Sequence, residues 1–186
     1  EGGRGGEGGQ GHTPLPTAPP PRSRESLVLD QALVRQMLPP RVCLPLRHGR
    51  PVPPEAFDDV GIFFSDVVGF TAISASVPPL QVVQLLNSLF TVMDYCCSLF
   101  PLYKVETIGD AYMVAGGLPE RDPLNAQYLA DFALLVQLAV QAAVVSPLDG
   151  APVQIRVGLH TGAVMAGVVG ACCVCVCVCV RVCVCA

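Results

Sequence analysis

The sequence predicts an α+β domain with a ferredoxin-like core, on three observations. Apolar runs of strand length stand at Val60–Phe64, at Leu102 to Ala115 around a Gly-Asp pair, at Val153–Leu159 and at Ala163–Val169. Two longer stretches, Leu80–Phe100 and Leu124–Val145, repeat their apolar residues at helical spacing. The resulting order of strand, two helices, hairpin, helix, strand, strand is that of a split βαβ core. A chain of 186 residues holds one such domain with tails, since domains commonly run to roughly 100–150 residues.

Glu1 to Arg24 is nearly all Gly, then Pro with Thr and Ser. Such a segment cannot bury enough apolar surface to offset chain entropy, so residues 1–24 are expected to form a disordered tail. They lack the basic start and apolar run of a signal peptide. Residues 25–57 read as a helical linker and an extended lead-in. Leu27, Leu29, Leu33, Val34, Met37 and Leu38 fall at near-helical spacing before Pro39-Pro40 stops the helix. That stripe fits a parallel contact with a second copy as well as it fits an ordinary packed helix. From Val42 to Phe57 the prolines are expected to hold the chain out of helix, with His48 as a solvated loop residue.

The domain itself is expected over residues 58–170. Val60–Phe64 is a strand that delivers Asp66 to a small-residue turn, and Gly69–Ala75 begins a helix whose first turn includes Thr71. Over Leu80–Phe100, Val83, Leu86, Leu89, Phe90 and Met93 form the predicted core face, with Cys96 and Cys97 as small core residues. Leu102, Tyr103 and Val105 lead to a Gly-Asp turn, and the chain returns as Ala111–Ala115, which reads as a hairpin. Gly116-Gly117-Leu118-Pro119 breaks the strand. Leu124–Val145 is a helix interrupted by Gln127, Asp131, Gln137 and Gln141, too often for a membrane span. Pro147–Gly150 turns, and His160-Thr161-Gly162 is expected to turn the chain between the last two strands.

Two carboxylates, Asp66 and Asp110, therefore stand at strand ends. Hard divalent cations take oxygen ligands and commonly share one or two carboxylates with substrate phosphates, so the pair fits metal-assisted phosphate chemistry. An Asp at a strand-to-helix turn also fits a helix cap, and a Gly-Asp pair fits a plain turn. Free amides and the positive dipole at the start of the Gly69 helix would meet an anion, with Gly69 letting the chain come close.

Phe63 to Thr71 and Tyr103 to Met113 resemble the two signature segments of the class III nucleotidyl cyclases. Glu106 resembles the guanylate cyclase branch, since adenylate cyclases carry Lys at that place. The resemblance continues through Gln36-Met37-Leu38-Pro39 and Ile155 to Gly170, about two thirds of the chain. It implies a ferredoxin-like cyclase core. The implied reaction is attack by the ribose 3′-hydroxyl of GTP on its own α-phosphate, giving 3′,5′-cyclic GMP and pyrophosphate.

The resemblance also implies two ions, Mg2+ or Mn2+, held by Asp66, Asp110 and the Val67 carbonyl. One would lower the pKa of the attacking hydroxyl and the other would neutralise the leaving phosphates. Backbone amides of Val68, Gly69, Phe70 and Thr71 would hold the β and γ phosphates. Glu106 would read guanine, whose N1–H and N2–H₂ donors suit an acceptor-only carboxylate. Glu106 and Asp110 are four residues apart, too close to serve opposite ends of one nucleotide. The implied answer is a homodimer, or a heterodimer with another cyclase domain, in which one protomer holds the metals and the other the base. His160 is expected to be dispensable, since this chemistry runs on metal and substrate phosphate.

Composition removes other classes. The net charge is -4 with scattered basic residues, which leaves no footprint for a nucleic acid. Seven of the ten cysteines lie between Cys172 and Cys185 in a Val-Cys alternation, a spacing that suits neither a disulfide framework nor zinc. The remaining Cys43, Cys96 and Cys97 suit a reducing cytoplasm, with a parent protein that a membrane could tether. Ala163–Val180 is long and apolar enough to count as a membrane candidate, yet its alternation of two β-favouring residues argues against a span. A GT dinucleotide repeat read in one frame encodes Val-Cys-Val-Cys, so residues 171–186 read as a translated repeat standing where the family sequence should continue. Sequencing the transcript checks this, and a spliced message encoding Val174–Cys185 would overturn it. In the family a later segment carries Phe-Gly-Asp, an Asn and an Arg that act on the ribose and the transition state. These residues have no counterpart in the 186, so the chain is expected to be inactive alone, or to serve as a dimerising regulatory module.

Overall fold

The structure is a computed structural model that describes residues 40–169 and 175–180. The predicted tail at 1–24, the Leu27–Leu38 helix and most of residues 171–186 lie outside the described residues. The chain divides into two units, Glu1–Leu44 and Pro45–Ala186, and the sheet belongs to the second. In order the elements are α1 (Pro40–Arg47), β1 (Glu55–Val67), α2 (Phe70–Ser76), α3 (Pro79–Cys97), β2 (Leu102–Ile108), β3 (Ala111–Gly116), α4 (Asn125–Ala143), β4 (Ile155–Val169) and β5 (Cys175–Val180).

The strands form one antiparallel sheet in the order β2-β3-β1-β4-β5. Its first four strands, with helices between β1 and β2 and between β3 and β4, make the expected ferredoxin-like core. One face packs against α3 and α4 through Phe63, Val67, Tyr112 and Val114 from the sheet and Leu89, Met93, Phe132 and Val136 from the helices. Phe63 and Phe132 meet edge to face with ring centroids 4.8 Å apart. The other face gathers Phe57, Val60, Ile62, Met113, Ala115 and Val164 with Leu118. Phe57 and Val60 share that face despite their spacing because the β1–β4 register shifts between them.

Three expectations need correction. Residues 40–47 are helical rather than extended: Pro40 takes the first helical position, where its missing amide costs nothing, and Gly49 at φ 64° closes the turn that follows. In α3 the buried stripe is Leu85, Leu89, Met93, Cys96 and Cys97, whereas Val83 is exposed. Two residues are about 200° apart on a helix, which sets Val83 opposite Leu85. His160-Thr161-Gly162 does not turn: β4 runs unbroken through it, paired with Ile62, Gly61 and Val60. A strand laddered along the full length of β1 overrides a weak local turn signal. Part of the Val-Cys tail forms β5 against the far end of β4, in keeping with its two β-favouring residues. The apolar run Ala163–Val180 thus contributes to two strands. The helix Asn125–Ala143 is long and apolar enough to cross a membrane, but it buries Leu129, Phe132, Val136 and Val140 in the core.

Candidate active site

Asp66 is the penultimate residue of β1, the strand at the centre of the core, flanked by β3 and β4. Asp110 sits in the two-residue turn between β2 and β3, where Ile108 pairs with Ala111. Gly109 takes φ 63°, and among the described residues none other than glycine takes a positive φ. A first central residue with positive φ followed by one without is the type II′ arrangement, which suits the twist of a tight hairpin. The β1–β3 register, Ser65 with Tyr112, brings Asp110 up against Val67. The Val67 amide donates to Asp110 Oδ2 at 3.1 Å.

The two carboxyl groups are within hydrogen-bonding reach of each other. That contact is the main cause holding the Asp66 carboxyl below its usual range, and the Arg156 guanidinium adds to it. Asp110 moves the opposite way: burial pushes its carboxyl up, and the neighbouring Asp66 pushes it further. Two acids driven apart in this way form a site short of positive charge. Two carboxylates side by side are a hard oxygen donor set and fit a divalent cation. Among the described residues no group of three or more His, Cys, Asp and Glu side chains gathers to hold a metal. A two-carboxylate site therefore leaves coordination positions for substrate phosphates, the habit of magnesium.

Beyond Asp66 the chain turns into α2, with Gly69 at φ 73° as the preceding cap. The Val68 amide is committed to the Gln154 carbonyl at 2.9 Å, and the Ala72 and Ile73 amides to the Gly69 carbonyl. Of the amides expected to face phosphate, Gly69, Phe70 and Thr71 are the ones that helix geometry leaves without an intrahelical acceptor. Glu106 lies on the edge strand β2 opposite Met113, and so on the sheet face that carries Met113 and Ile62. One strand, β3, lies between β2 and β1, so two strand spacings, about 10 Å, separate them. The structure thus brings Asp66, Val67 and Asp110 together, sets Gly69, Phe70 and Thr71 next to them in the chain, and leaves Glu106 apart.

Two features escaped the sequence. Arg156 stands directly across from Asp66 in the β1–β4 pairing and donates from its guanidinium to Asp66 Oδ2. The alternation of Val153, Ile155 and Val157 sets Arg156 on the other side of its strand from these residues, but nothing in the sequence gives the register. The hairpin is also fastened from below. The fully buried Tyr112 donates its hydroxyl to Asp94 Oδ1 on α3 at 2.5 Å, and Lys104 Nζ donates to the same oxygen at 2.5 Å. Lys104 also lies 5.0 Å from the Tyr112 ring centroid. Burial pushes the Tyr112 phenol far above its usual range, with Asp94 adding to the shift.

A ferredoxin-like sheet that pairs strand-end carboxylates beside a short helix is the arrangement of a phosphoryl-transfer domain, and solved nucleotidyl cyclase catalytic domains match it. The guanylate cyclase domain of the rhodopsin–cyclase RhGC from Catenaria anguillulae, solved in complex with GTP, superposes with a TM-score of 0.64 at 34% identity over 68% of this chain and 69% of that one. The dimeric guanylyl cyclase domain of RhoGC from Blastocladiella emersonii gives 0.62 at 32% identity, over 68% and 69% of the two chains. The chain belongs to the adenylate and guanylate cyclase catalytic domain family, whose model matches residues 52–182. Retinal guanylyl cyclase 1 of Bos taurus is 50% identical over 139 residues, 74% of this chain and 12% of that protein. Guanylate cyclase soluble subunit beta-2 of Rattus norvegicus is 48% identical over 140 residues, 75% of this chain and 20% of that protein. These relatives set the chain on the guanylate cyclase branch, a family of lyases, and it spans a minor part of their length.

Proposed function

We propose that this domain belongs to a guanylate cyclase converting GTP to 3′,5′-cyclic GMP and pyrophosphate. The observation that carries the proposal is the contact between Asp66 and Asp110 at the ends of adjacent strands, backed by the Val67 amide. Asp66, Asp110 and the Val67 carbonyl hold two Mg2+ or Mn2+ ions. When bound, such ions acidify a coordinated hydroxyl and neutralise phosphate charge. The Gly69, Phe70 and Thr71 amides bind the β and γ phosphates and orient the α-phosphate for in-line attack. Glu106 accepts from guanine N1–H and N2–H₂ and rejects adenine, whose N1 lone pair would face a carboxylate. Glu106 lies on the same short hairpin as Asp110, which supports a dimer in which one protomer would hold the metals and the other the base of each nucleotide.

A second reading is that by itself this chain binds ion and nucleotide and dimerises without turnover. Assaying the purified chain with GTP and Mn2+, alone and fused to a C-terminal cyclase half, separates the two. Cyclic GMP is expected only from the fusion. If the fusion binds GTP and stays silent, the chain is a regulatory module; if it makes cyclic AMP in preference, the Glu106 assignment is wrong.

A further inference from the structure

Arg156 is placed by the sheet and not by a loop. Its position on β4 is the register partner of Asp66 on β1, so its guanidinium stays within reach of that carboxylate while the sheet is intact. The Arg156 side chain is 70% exposed and that of Asp66 43%, so the pair is a solvent-facing one, of the kind that holds weakly. A divalent cation bound to Asp66 would share that carboxylate with the Arg156 guanidinium on Oδ2, and the two positive charges would repel each other.

We infer that Arg156 is a built-in competitor for Asp66, a cation whose charge opposes a divalent ion at that carboxylate, and that it thereby sets how tightly the site takes up metal. The inference rests on the metal reading of Asp66 and Asp110 and adds a determinant of affinity to it. Because the pair is exposed, that opposition is weak, and relieving it changes affinity by a factor of about two to five. Being a contest between charges at the surface, it weakens as salt rises.

The test is Mn2+ binding to the full 186-residue chain without nucleotide, followed by the loss of the free-ion paramagnetic resonance signal. Arg156→Gln is expected to tighten binding about two- to fivefold at low ionic strength. The gain should vanish near 1 M salt, where the screening length falls to about 3 Å. Arg156→Lys, which keeps the charge, should stay within about twofold of the unsubstituted chain. A loss of packing alone would not sort the variants by charge. Arg156→Gln binding Mn2+ no more tightly, while Asp66→Asn abolishes binding, overturns the inference and leaves the metal site standing. Mn2+ binding that survives Asp66→Asn, or is absent from the unsubstituted chain, overturns both.

Discussion

Asp110 does two jobs that substitution can separate: it carries a charge toward Asp66 and it accepts the Val67 amide. Asparagine keeps an acceptor oxygen and drops the charge; alanine drops both. A carboxyl whose pKa is raised by folding stabilises the fold fully only below its unfolded pKa, and that contribution is lost as pH rises through the raised folded value. At neutral pH, therefore, Asp110→Asn relieves a destabilised carboxylate. It is expected to melt no lower than the unsubstituted chain without divalent ions. Asp110→Ala leaves the half-buried Val67 amide unpaired and is expected to lose about 1 kcal/mol. Mn2+ should then separate the variants. A ligand at a hundred times its Kd stabilises by about 2.7 kcal/mol. For a domain of this size, at about 3–6 °C per kcal/mol, that is roughly 8–16 °C in Tm. Differential scanning fluorimetry with and without Mn2+ should show this rise for the unsubstituted chain and none for Asp110→Asn. An Asp110→Asn variant that gains the same increment as the parent would refute the assignment of Asp110 as a metal ligand.

Other expectations follow from the same geometry. Glu106→Lys should cut the preference for a fluorescent GTP analogue over the ATP analogue by about tenfold or more in Mn2+, since two hydrogen bonds to a charged acceptor are lost; an unchanged preference would remove Glu106 from base reading. At Gly61 an added Cβ would lie 2.3 Å from Leu129 Cδ1 and 2.8 Å from Asn125 Oδ1, so Gly61→Ala should cost about 1–3 kcal/mol in urea unfolding. Tyr112→Phe should cost about 1 kcal/mol. Combined with Asp94→Ala it should be clearly less than additive; strict additivity would mean that the hydroxyl and Asp94 are not coupled.

Periodicity and turn chemistry made much of this fold legible. The hairpin was readable because Gly109-Asp110 interrupts two β-rich runs, and α4 because its apolar residues keep helical spacing for five turns. Sequence reasoning failed where long-range pairing outweighs local preference. His160-Thr161-Gly162 looks like a turn to its neighbours, but β1 offers a complete ladder across it. Val83 and Leu85 are equally apolar, and only the direction from which the sheet meets α3 decides which is buried. At the site, the two acids could be named from their places at strand ends. Their closeness depends on the β1–β3 register, and the partnership of Asp66 with Arg156 on the β1–β4 register, neither of which leaves a local trace.

The placement of one acid at the end of β1 and the other in the turn that opens the neighbouring β3 has an architectural consequence. Spacing between them is governed by one ladder, Gly61 with Gly116 through Ser65 with Tyr112, and slipping that ladder by a single step would turn every inward side chain outward. Any change able to spoil the geometry would therefore first have to wreck the interior. The connections at Gly117–Leu124 and Val144–Gln154 can accordingly lengthen or diverge among relatives while the acids keep their distance.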